Sequence, residues 1–340
     1  MATTMRAVEV TKPGSGFTLV ERPIPEPGAG QVRIAVEACG ICHSDAFVKD
    51  GTYPGLKFPR VPGHEVVGRI DAVGAGVTPW RQGQRVGVGW HGGHCFVCEA
   101  CRSGDFIECE RGLVCGFSYD GGYAEYMVAP QEALAAVPDA LDPIAAAPLL
   151  CAGVTTFNAL RNSGARAGEL VAVQGIGGLG HLGIQYARKL GFRTVALSRG
   201  AEKRALALEL GAHEYVDQGT GDAAAALRRM GGARVILATA PNAQLMSSLI
   251  DGLGRNGTLL VVGAAPEPIQ VSPFQLIGAR RRVQGWPSGT AKDSEETLAF
   301  SALNAVASRN EAFPLTAVDD AFERMITNRA RFRVVLRVRG

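Results

Sequence analysis

The chain has 340 residues, enough for two domains of ordinary size, and 46% of them are hydrophobic, so packed cores can form. This composition excludes a disordered or fibrous protein. The 35 Lys and Arg residues nearly balance the 32 Asp and Glu residues, which leaves a formal charge of +3. Such a balance gives no strong attraction to nucleic acid or to an anionic membrane, so we expect a small-molecule partner.

The N-terminal residues carry no apolar stretch of signal-peptide length, and no apolar run reaches the roughly 18 residues that a membrane helix needs. Four of the eight cysteines crowd into residues 95–109, which is typical of metal ligands rather than disulfides. These features predict a soluble, reduced, cytoplasmic protein.

Alternating apolar and polar residues predict a β-rich first part, up to about residue 140. Val32, Ile34 and Val36 share one face of residues 31–37, as in a half-buried strand. Proline-rich residues 22–28 cannot form a central strand, so we expect them to run extended into it. Further strands are predicted at residues 66–73, 85–88 and 123–129. The first part is therefore predicted to be a compact, irregular β-barrel-like domain.

From about residue 140, helices and strands alternate. Asp142 followed by Pro143 is a typical helix start. Strands are predicted at residues 170–173, 194–197, 214–216, 234–238, 258–262 and 282–284. Helices are predicted at residues 178–190, 202–210 with a C-cap at Gly211, 222–229 and 242–253. This alternation predicts a doubly wound parallel sheet.

The alternation stops after residue 287. A helix near residues 294–307 and a strand at 332–338 are expected to return to the first domain. We therefore predict one domain interrupted by another. Residues 1–150 and 287–340 form the first domain, and residues 151–286 form the second.

A GxGxxG pattern at residues 175–180 follows the first strand of the second domain and opens a helix. Gly175 allows the tight turn, Gly177 lets the backbone approach a pyrophosphate, and Gly180 lets the helix pack on the strand. The helix N-terminus offers unpaired N–H groups to the anion. The pattern predicts a dinucleotide site, with a merely flexible turn as the alternative. The predicted contacts are Gly175, Gly177, Gly178, Leu179 and Gly180.

The end of the next strand indicates which dinucleotide is bound. NAD-selective sites place Asp or Glu roughly 20 residues further on, where it binds the adenosine ribose. Here Ser198 and Arg199 occupy that segment, with Lys203 nearby and no carboxylate at the expected position. Two cations and a hydroxyl attract a 2′-phosphate. The segment favours NADP(H) over NAD(H), unless its charges are simply solvated.

Cys95, Cys98, Cys101 and Cys109 can close a tetrahedral shell of four sulfur ligands. A shell without a vacancy is structural, so we predict a structural zinc; ordinary thiols are the alternative. An iron–sulfur cluster is disfavoured because the last interval is seven residues and Glu110, rather than proline, follows.

Three further segments carry thiols and an imidazole far apart in the chain. Cys39 and Cys42 have the spacing of a thioredoxin-like redox pair. His64 taken alone is more often a structural histidine than a ligand, and Cys151 stands by itself. Spacing alone leaves these alternatives open.

Together the motifs resemble those of the zinc-dependent medium-chain alcohol dehydrogenase family, in its shorter bacterial and yeast-like form, over nearly the whole chain. The segments that carry the resemblance are residues 42–45, 63–65, 95–109, 151–156 and 175–180. The resemblance implies a Rossmann sheet inserted into an irregular GroES-like β-barrel catalytic domain. It also implies a homotetramer or dimer.

By this resemblance Cys42, His64 and Cys151 bind a catalytic zinc, the second zinc of the chain, and Cys39 is a packed neighbour. Ser44 resembles the hydroxyl that binds the substrate oxygen and passes on its proton. Asp45 resembles the carboxylate that orients the histidine ligand, and Glu65 an acid that assists ligand exchange at the metal. The implied cofactor contacts beyond the glycine turn and the 2′-phosphate segment are His43, Thr155, Val262 and Arg333.

The sequence departs from the family pattern at two places. Many members end the proton path with a histidine where this chain has Phe47, so the proton must leave by another route, such as the cofactor ribose and water. The second departure is the missing ribose carboxylate.

Phe47, Tyr53 and Trp90 match positions that line the family's substrate cleft. Three aromatic walls would favour an apolar or aromatic alcohol over a sugar polyol; the alternative is that they are core residues.

We therefore predict a zinc-dependent, NAD(P)-linked oxidoreductase that interconverts a primary or secondary alcohol with an aldehyde or ketone. A cinnamyl-alcohol-type or polyol dehydrogenase is the alternative within the fold. A non-enzymatic regulator or electron-transfer module would require incomplete catalytic ligands, and the ligands are complete. No nucleic-acid or membrane partner is expected.

Overall fold

The structure, a computed structural model, describes residues 3–339, which form two compact units. The first unit contains the residues up to Val154 and those from Gly289 onward, and the second contains Thr155–Ser288. The chain therefore leaves the first unit, builds the second, and returns.

Seventeen strands are formed by the described residues. In chain order they are β1 (Thr4–Val10), β2 (Phe17–Pro23), β3 (Gln31–Ile41), β4 (Val66–Val73), β5 (Arg85–Val88), β6 (His91–Gly93), β7 (Leu113–Val114), β8 (Tyr126–Pro130), β9 (Leu134–Ala136), β10 (Leu170–Gln174), β11 (Arg193–Ser198), β12 (Glu214–Asp217), β13 (Ala233–Ala238), β14 (Leu253–Val261), β15 (Arg282–Gly285), β16 (Asn310–Pro314) and β17 (Arg333–Arg337).

Between the strands lie α1 (Asp45–Asp50), α2 (Glu99–Arg102), α3 (Pro143–Ala146), α4 (Ala152–Arg161), α5 (Gly180–Lys189), α6 (Arg204–Glu209), α7 (Ala223–Arg229), α8 (Ala243–Leu249), α9 (Pro273–Ile277), α10 (Ala291–Asn304) and α11 (Val318–Ile326). Short 3-10 helices are found at Phe106–Glu108, Gln131–Ala133, Ala147–Leu150, Ala201–Lys203, Ile250–Gly252 and Leu315–Ala317.

The first unit is organised around β3, which pairs antiparallel with β4, β8 and β17. Its alternating apolar residues enter a core that also receives Val8 from β1 and Val334 from β17. The predicted alternation is confirmed, although β3 continues four residues beyond the prediction, to Ile41. The predicted return of the C-terminal strand is also confirmed, because β17 pairs with β3.

The second unit contains six parallel strands in the order β12-β11-β10-β13-β14-β15. Its core is formed by aliphatic residues of the central strands and of α7 and α8. This confirms the doubly wound parallel sheet. Along the chain, the strands are added to one side of β10 up to β12 and then to its other side from β13 onward. In such sheets ligands bind at the carboxyl ends of the strands near this change of side.

Helix ends follow local chemistry, with one correction. The Asp142 side chain accepts hydrogen bonds from the amides of Ile144 (2.9 Å) and Ala145 (3.3 Å), as expected of an N-cap. The predicted helix at 242–253 was too long: α8 ends at Leu249, a 3-10 turn follows, and Leu253 starts β14. Leu253 pairs with Ala233, so strand pairing overrides the helical pattern there.

Within residues 3–339, no single helix is long and apolar enough to cross a membrane; one bent pair, Pro143–Leu150 with Ala152–Arg161, meets that test by length and composition alone.

Candidate active site and its metal clusters

Three segments of the first unit bring Cys42, His64, Glu65 and Cys151 together. Cys42 follows the last residue of β3, His64 and Glu65 directly precede β4, and Cys151 directly precedes α4. One ligand atom from each residue lies within 4.8 Å of every other. We call Cys42, His64 and Cys151 the Cys-His cluster. The structure thus brings together the three residues that the family resemblance, but not their spacing in the sequence, assigned to one site.

The donor chemistry of the Cys-His cluster fits a zinc ion. The two thiol sulfurs are 3.8 Å apart, and two sulfurs bound to one tetrahedral zinc at about 2.3 Å would be about 3.8 Å apart. His64 Nε2 is buried and has no hydrogen-bond partner. The Cys151 thiol lowers the pKa of Cys42 well below its usual value, while Cys42 raises the pKa of Cys151 well above it. One thiol of the pair therefore ionises readily and the other resists ionisation. Both can be thiolates at once only if a cation lies beside them.

Asp45 lies behind the histidine ligand. Its Oδ1 is 3.2 Å from His64 Nδ1, and both side chains are fully buried. A carboxylate on one ring nitrogen fixes the ring so that the other nitrogen faces the metal position.

Glu65 and Arg333 form a buried ion pair beside the same cluster. Arg333 Nη2 donates to Glu65 Oε1 and to the backbone oxygen of Ile41. Burial raises the pKa of Glu65 to about 7, against the opposing effect of Arg333. Arg333 is only 4% exposed and its partners lie in the first unit, so its pyrophosphate contact stays a prediction. Sequence reasoning named both residues but missed their pairing.

The predicted proton path starts close to the Cys-His cluster. Ser44 Oγ lies 3.8 Å from Cys42 Sγ, and the serine is half-buried. The neighbouring His43 is exposed, and Phe47, one turn further along α1, is 44% exposed. A side chain at position 47 therefore has access to solvent.

An aromatic wall covers one side of His64. The Trp90 ring stands edge-on to the His64 ring at a centroid distance of 5.2 Å. Phe117 packs on Trp90 (5.0 Å) and on Tyr53 (4.9 Å). Tyr53 and Trp90, two of the three predicted pocket residues, thus contact each other near the Cys-His cluster. Among the described residues, no ring contact joins the third, Phe47, to this wall. Phe117 was missed because no spacing signal marks it.

The other four cysteines form what we call the four-cysteine lobe: Cys95, Cys98, Cys101 and Cys109. Their sulfurs lie mutually within 4.8 Å. The Cys95–Cys101 and Cys98–Cys109 sulfur pairs are 4.0 and 3.9 Å apart, again close to the edge of a zinc–sulfur tetrahedron. The amide of Cys98 donates to Cys95 Sγ, and the Val97 amide is the largest of the effects that lower the pKa of Cys95 to about 6. This set of donors fits a closed zinc shell.

In the second unit, the glycine turn joins β10 to α5. Gly175 has φ = +95°, which requires glycine, and a Cβ on Gly180 would lie 1.9 Å from the Gly175 backbone oxygen. A Cβ on Gly177 would meet nothing within 4 Å, and Gly177 is exposed. The turn therefore has open space above Gly177, where a pyrophosphate could approach the backbone, so these residues fit a dinucleotide.

The turn after β11 carries the segment predicted to bind a 2′-phosphate. Ser198 is buried, Arg199 is exposed and Lys203 is half-buried. Asp217, at the end of neighbouring β12, brings a carboxylate to this turn, but its Oδ1 accepts the amides of Gly200 (3.0 Å) and Gly219 (2.8 Å). That carboxylate is committed to the backbone of the turn.

The two remaining predicted cofactor contacts are also in the second unit. Thr155 lies in α4 and is half-buried. Val262 follows β14, and its amide donates to the backbone oxygen of Ala238 at 3.1 Å.

Comparison with known families agrees with this arrangement. The alcohol dehydrogenase GroES-like domain matches residues 28–139, and the zinc-binding dehydrogenase family matches residues 178–303. The first match lies in the first unit, and the second begins within the glycine turn and includes strands β11 to β15 of the parallel sheet.

Individual relatives span nearly the whole chain. The alcohol dehydrogenase patD of Penicillium expansum is 46% identical over 323 residues, covering 95% of this chain and 94% of the relative. An alcohol dehydrogenase of Geobacillus stearothermophilus is 39% identical, covering 98% and 100%. A solved cinnamyl alcohol dehydrogenase from Sorghum bicolor is 30% identical, with a TM-score of 0.88 and coverage of 98% and 97%. Other solved structures of this fold hold NAD or NADP(H).

The fold and both metal-type clusters thus define a zinc-binding, nicotinamide-dependent oxidoreductase acting on CH–OH groups. The chain belongs to the zinc-type medium-chain alcohol dehydrogenase family.

Proposed function

We propose that this enzyme uses Cys42, His64 and Cys151 to hold a catalytic zinc and the four-cysteine lobe to hold a structural one. The observation that carries the proposal is the buried, unpartnered His64 Nε2, which lies with two thiols at the separation that one tetrahedral ion requires. In this proposal the first unit is the catalytic domain and the second binds the dinucleotide.

A zinc ion in the Cys-His cluster would supply a Lewis acid that polarises the substrate oxygen, and the nicotinamide would supply or accept hydride. Two thiolates and a neutral imidazole balance the charge of the ion. Asp45 holds the imidazole in orientation through Nδ1. The buried Glu65–Arg333 pair places an acid beside the cluster without leaving an unpaired charge.

Ser44 is the proposed proton donor and acceptor at the substrate oxygen. Its hydroxyl is the half-buried oxygen next to Cys42, and it can transfer a proton at Oγ in either direction of the reaction. Because position 47 is phenylalanine, this side chain offers no base to Ser44, and a bound cofactor's ribose and water would have to supply the exit for the proton.

We propose NADP(H) as the preferred cofactor. The support is the pair of cations, Arg199 and Lys203, beside the buried Ser198, together with the commitment of Asp217 to backbone amides. Replacing both cations with alanine should raise the KM for NADPH at least about tenfold, since each would make a charge-assisted contact with the phosphate, and leave that for NADH nearly unchanged. Equal changes in both KM values would contradict the preference.

The proposed substrate is an apolar or aromatic alcohol, aldehyde or ketone. The half-buried rings of Trp90 and Tyr53 lie next to His64 and are supported from behind by the buried Phe117, so two aromatic rings are available to such a molecule. This observation also favours the cinnamyl-alcohol-type alternative over a polyol dehydrogenase. Initial rates with benzyl, cinnamyl and aliphatic alcohols against sorbitol separate these possibilities, and a preference for sorbitol would exclude the aromatic reading.

We further propose a homotetramer or a dimer. All four residues of β15, the edge strand of the parallel sheet, are exposed, and nearby Phe274 and Ile277 are 86% and 73% exposed. An open edge with large apolar neighbours favours pairing with a second copy. Light scattering coupled to size exclusion should give a multiple of the 35.7 kDa chain mass, and a monomer would contradict the proposal.

A reducing, cytoplasmic location is proposed on the same chemistry. The eight cysteines are free thiols, and six of them form metal-type clusters that need reduced sulfur.

The central test combines metal analysis with kinetics. The purified enzyme should contain about two zinc ions per chain, one for each cluster. Initial rates with NADPH and NADH across a small carbonyl panel should show zinc-dependent reduction with a higher kcat/KM for NADPH. About one zinc or none, or a kcat/KM for NADH well above that for NADPH, would overturn the corresponding part of the proposal.

A further inference from the structure

Tyr123 is a fully buried tyrosine that no motif singles out. Its hydroxyl donates to Asp45 Oδ2 at 3.0 Å, across 78 positions of sequence. Burial raises the pKa of Tyr123 well above its usual value, so the hydroxyl stays protonated and remains a donor. It therefore contacts the carboxylate that faces the histidine of the Cys-His cluster.

The Asp45 carboxylate is held by unequal partners on its two oxygens. Oδ2 accepts two hydrogen bonds, from the Cys42 amide (2.8 Å) and from Tyr123 (3.0 Å). Oδ1 is left to face His64 Nδ1 at 3.2 Å. Two donors on one oxygen prevent the carboxylate from rotating, so the orientation of Oδ1 depends on them.

The Tyr123 ring is itself fixed against the segment that carries His64. The backbone amide of Tyr123 donates to the backbone oxygen of Pro62 (3.1 Å), and the Gly122 amide donates to the backbone oxygen of Gly63 (3.0 Å). Gly63 has φ = +103°, and a Cβ there would lie 2.5 Å from Tyr123 Cδ1. The ring thus packs on the backbone immediately before His64, and Tyr123 connects that segment to Asp45.

We propose that Tyr123 is a positioning residue for the catalytic zinc site. Its hydroxyl sets the orientation of Asp45, which sets the orientation of His64, so that Nε2 faces the thiols of Cys42 and Cys151. The inference rests on the proposed function, in which these three residues hold zinc.

Tyr123→Phe removes the hydroxyl and keeps the ring. Outer partners of metal ligands contribute roughly 10- to 100-fold to metal affinity, so the zinc dissociation constant of the Cys-His cluster should rise about tenfold or more. The constant is measured on the holoenzyme by competition with a chromogenic zinc chelator. Zinc in the four-cysteine lobe should keep its affinity and serves as the internal reference.

Tyr119→Phe is the matched control, because the Tyr119 hydroxyl donates to the Gly92 backbone oxygen at 3.0 Å and is not bonded to Asp45. It should lower thermal stability by a similar amount without changing the affinity of the Cys-His cluster for zinc. Equal losses of zinc affinity in both tyrosine variants would indicate general loosening and overturn the inference.

One further variant distinguishes the possible failures. His64→Ala should lose one zinc per chain; if it retains both, the proposed function fails and the inference with it. If His64→Ala loses one zinc but Tyr123→Phe keeps the wild-type constant within about twofold, well short of the expected change, only the inference fails.

A double-mutant cycle tests whether Tyr123 acts through Asp45. In an Asp45→Asn background, Tyr123→Phe should have little further effect on the zinc constant. A full, additive effect in that background would overturn the inference. If Tyr123→Phe alone does not fold, adding it to Asp45→Asn still allows the overturning result to be seen, because Asp45→Asn removes the buried charge that the missing hydroxyl would leave with one donor fewer: a loss of zinc affinity of about tenfold in that background overturns the inference.

Discussion

The four-cysteine lobe takes its donors from one segment, residues 95–109, whereas the Cys-His cluster takes Cys42 and Cys151 from positions 109 residues apart. In the lobe, backbone amides of the same loop surround the sulfurs. In the Cys-His cluster, the donors are surrounded by side chains from other elements, among them the buried Asp45 and the half-buried Trp90.

This difference teaches what each cluster can do. In the proposed function, four thiols in one loop would complete a zinc shell and leave no position for substrate, so the lobe would only hold its loop in shape. Two thiols and one imidazole would leave a fourth position on the zinc, and the surrounding acid, hydroxyl and aromatic residues would give that position chemistry. Removing a ligand should therefore affect activity at one cluster and stability at the other.

The largest expected effect is at the Cys-His cluster. Cys151→Ser should lower kcat/KM at least about 10³-fold, because the Lewis acid contributes several kcal/mol to the transition state, and should reduce bound zinc from two per chain to one. Metal analysis and initial rates measure both. The control is Cys39→Ala, which removes a buried thiol outside both clusters and should retain two zinc ions per chain. Wild-type activity with one zinc would reverse the assignment of the two clusters.

Ser44→Ala sharpens the catalytic side of the comparison. Removing the relay hydroxyl should lower kcat about 10²-fold, without loss of zinc or of cofactor binding. Ser44→Thr keeps a hydroxyl and should recover most of the rate. Turnover close to that of the wild type in the alanine variant would remove Ser44 from the mechanism.

At the four-cysteine lobe the effect should be on stability. Cys109→Ser opens the shell, and we expect the midpoint of thermal unfolding to fall by at least about 5 °C, while freshly prepared enzyme keeps most of its kcat. Scanning calorimetry and initial rates of the same preparation test this. A stable variant with greatly reduced turnover would give the lobe a catalytic role and break the comparison.

The smallest expected effect concerns the route of the proton. Phe47→His adds a base at a solvent-accessible position, with an ordinary pKa of about 6.5. The neutral imidazole accepts a proton, so the gain in alcohol oxidation should be present above that pKa and lost below it. The pH profile of carbonyl reduction should change less. Phe47→Leu, which adds no titrating group, is the control, and identical profiles in both directions would contradict the proposed route.

Local patterns allowed much of the fold to be predicted from the sequence. The parallel sheet of the second unit follows from apolar runs and glycine turns, and the start of α3 in the first unit follows from the Asp142 cap; all of these act over a few residues. The helix predicted at 242–253 failed at its end because pairing of Leu253 with Ala233, a tertiary contact, decided the structure. The hairpin of β1 and β2 was not predicted. Every side chain of β2 is exposed or half-buried, so no buried apolar alternation marks this strand in the sequence.

The candidate sites divide in the same way. The four-cysteine lobe could be predicted from spacing because its donors are local. The Cys-His cluster required a resemblance, since spacing left Cys42 and His64 open to other interpretations. The Glu65–Arg333 pair spans 268 positions and depends on strand pairing, so no local signal could reveal it. The same is true of the Tyr123–Asp45 bond.

The position of β17 has a consequence for synthesis of the protein. β17 lies beside β3 and places Arg333 on Glu65, yet it is synthesised after the whole of the second unit. The second unit is complete in sequence by Ser288, so it can fold while the first unit still lacks β16 and β17. Until β17 emerges from the ribosome, Glu65 has no Arg333 partner and the end of β3 leading to Cys42 lacks its pairing with β17. The candidate active site therefore matures only after the second unit has been synthesised.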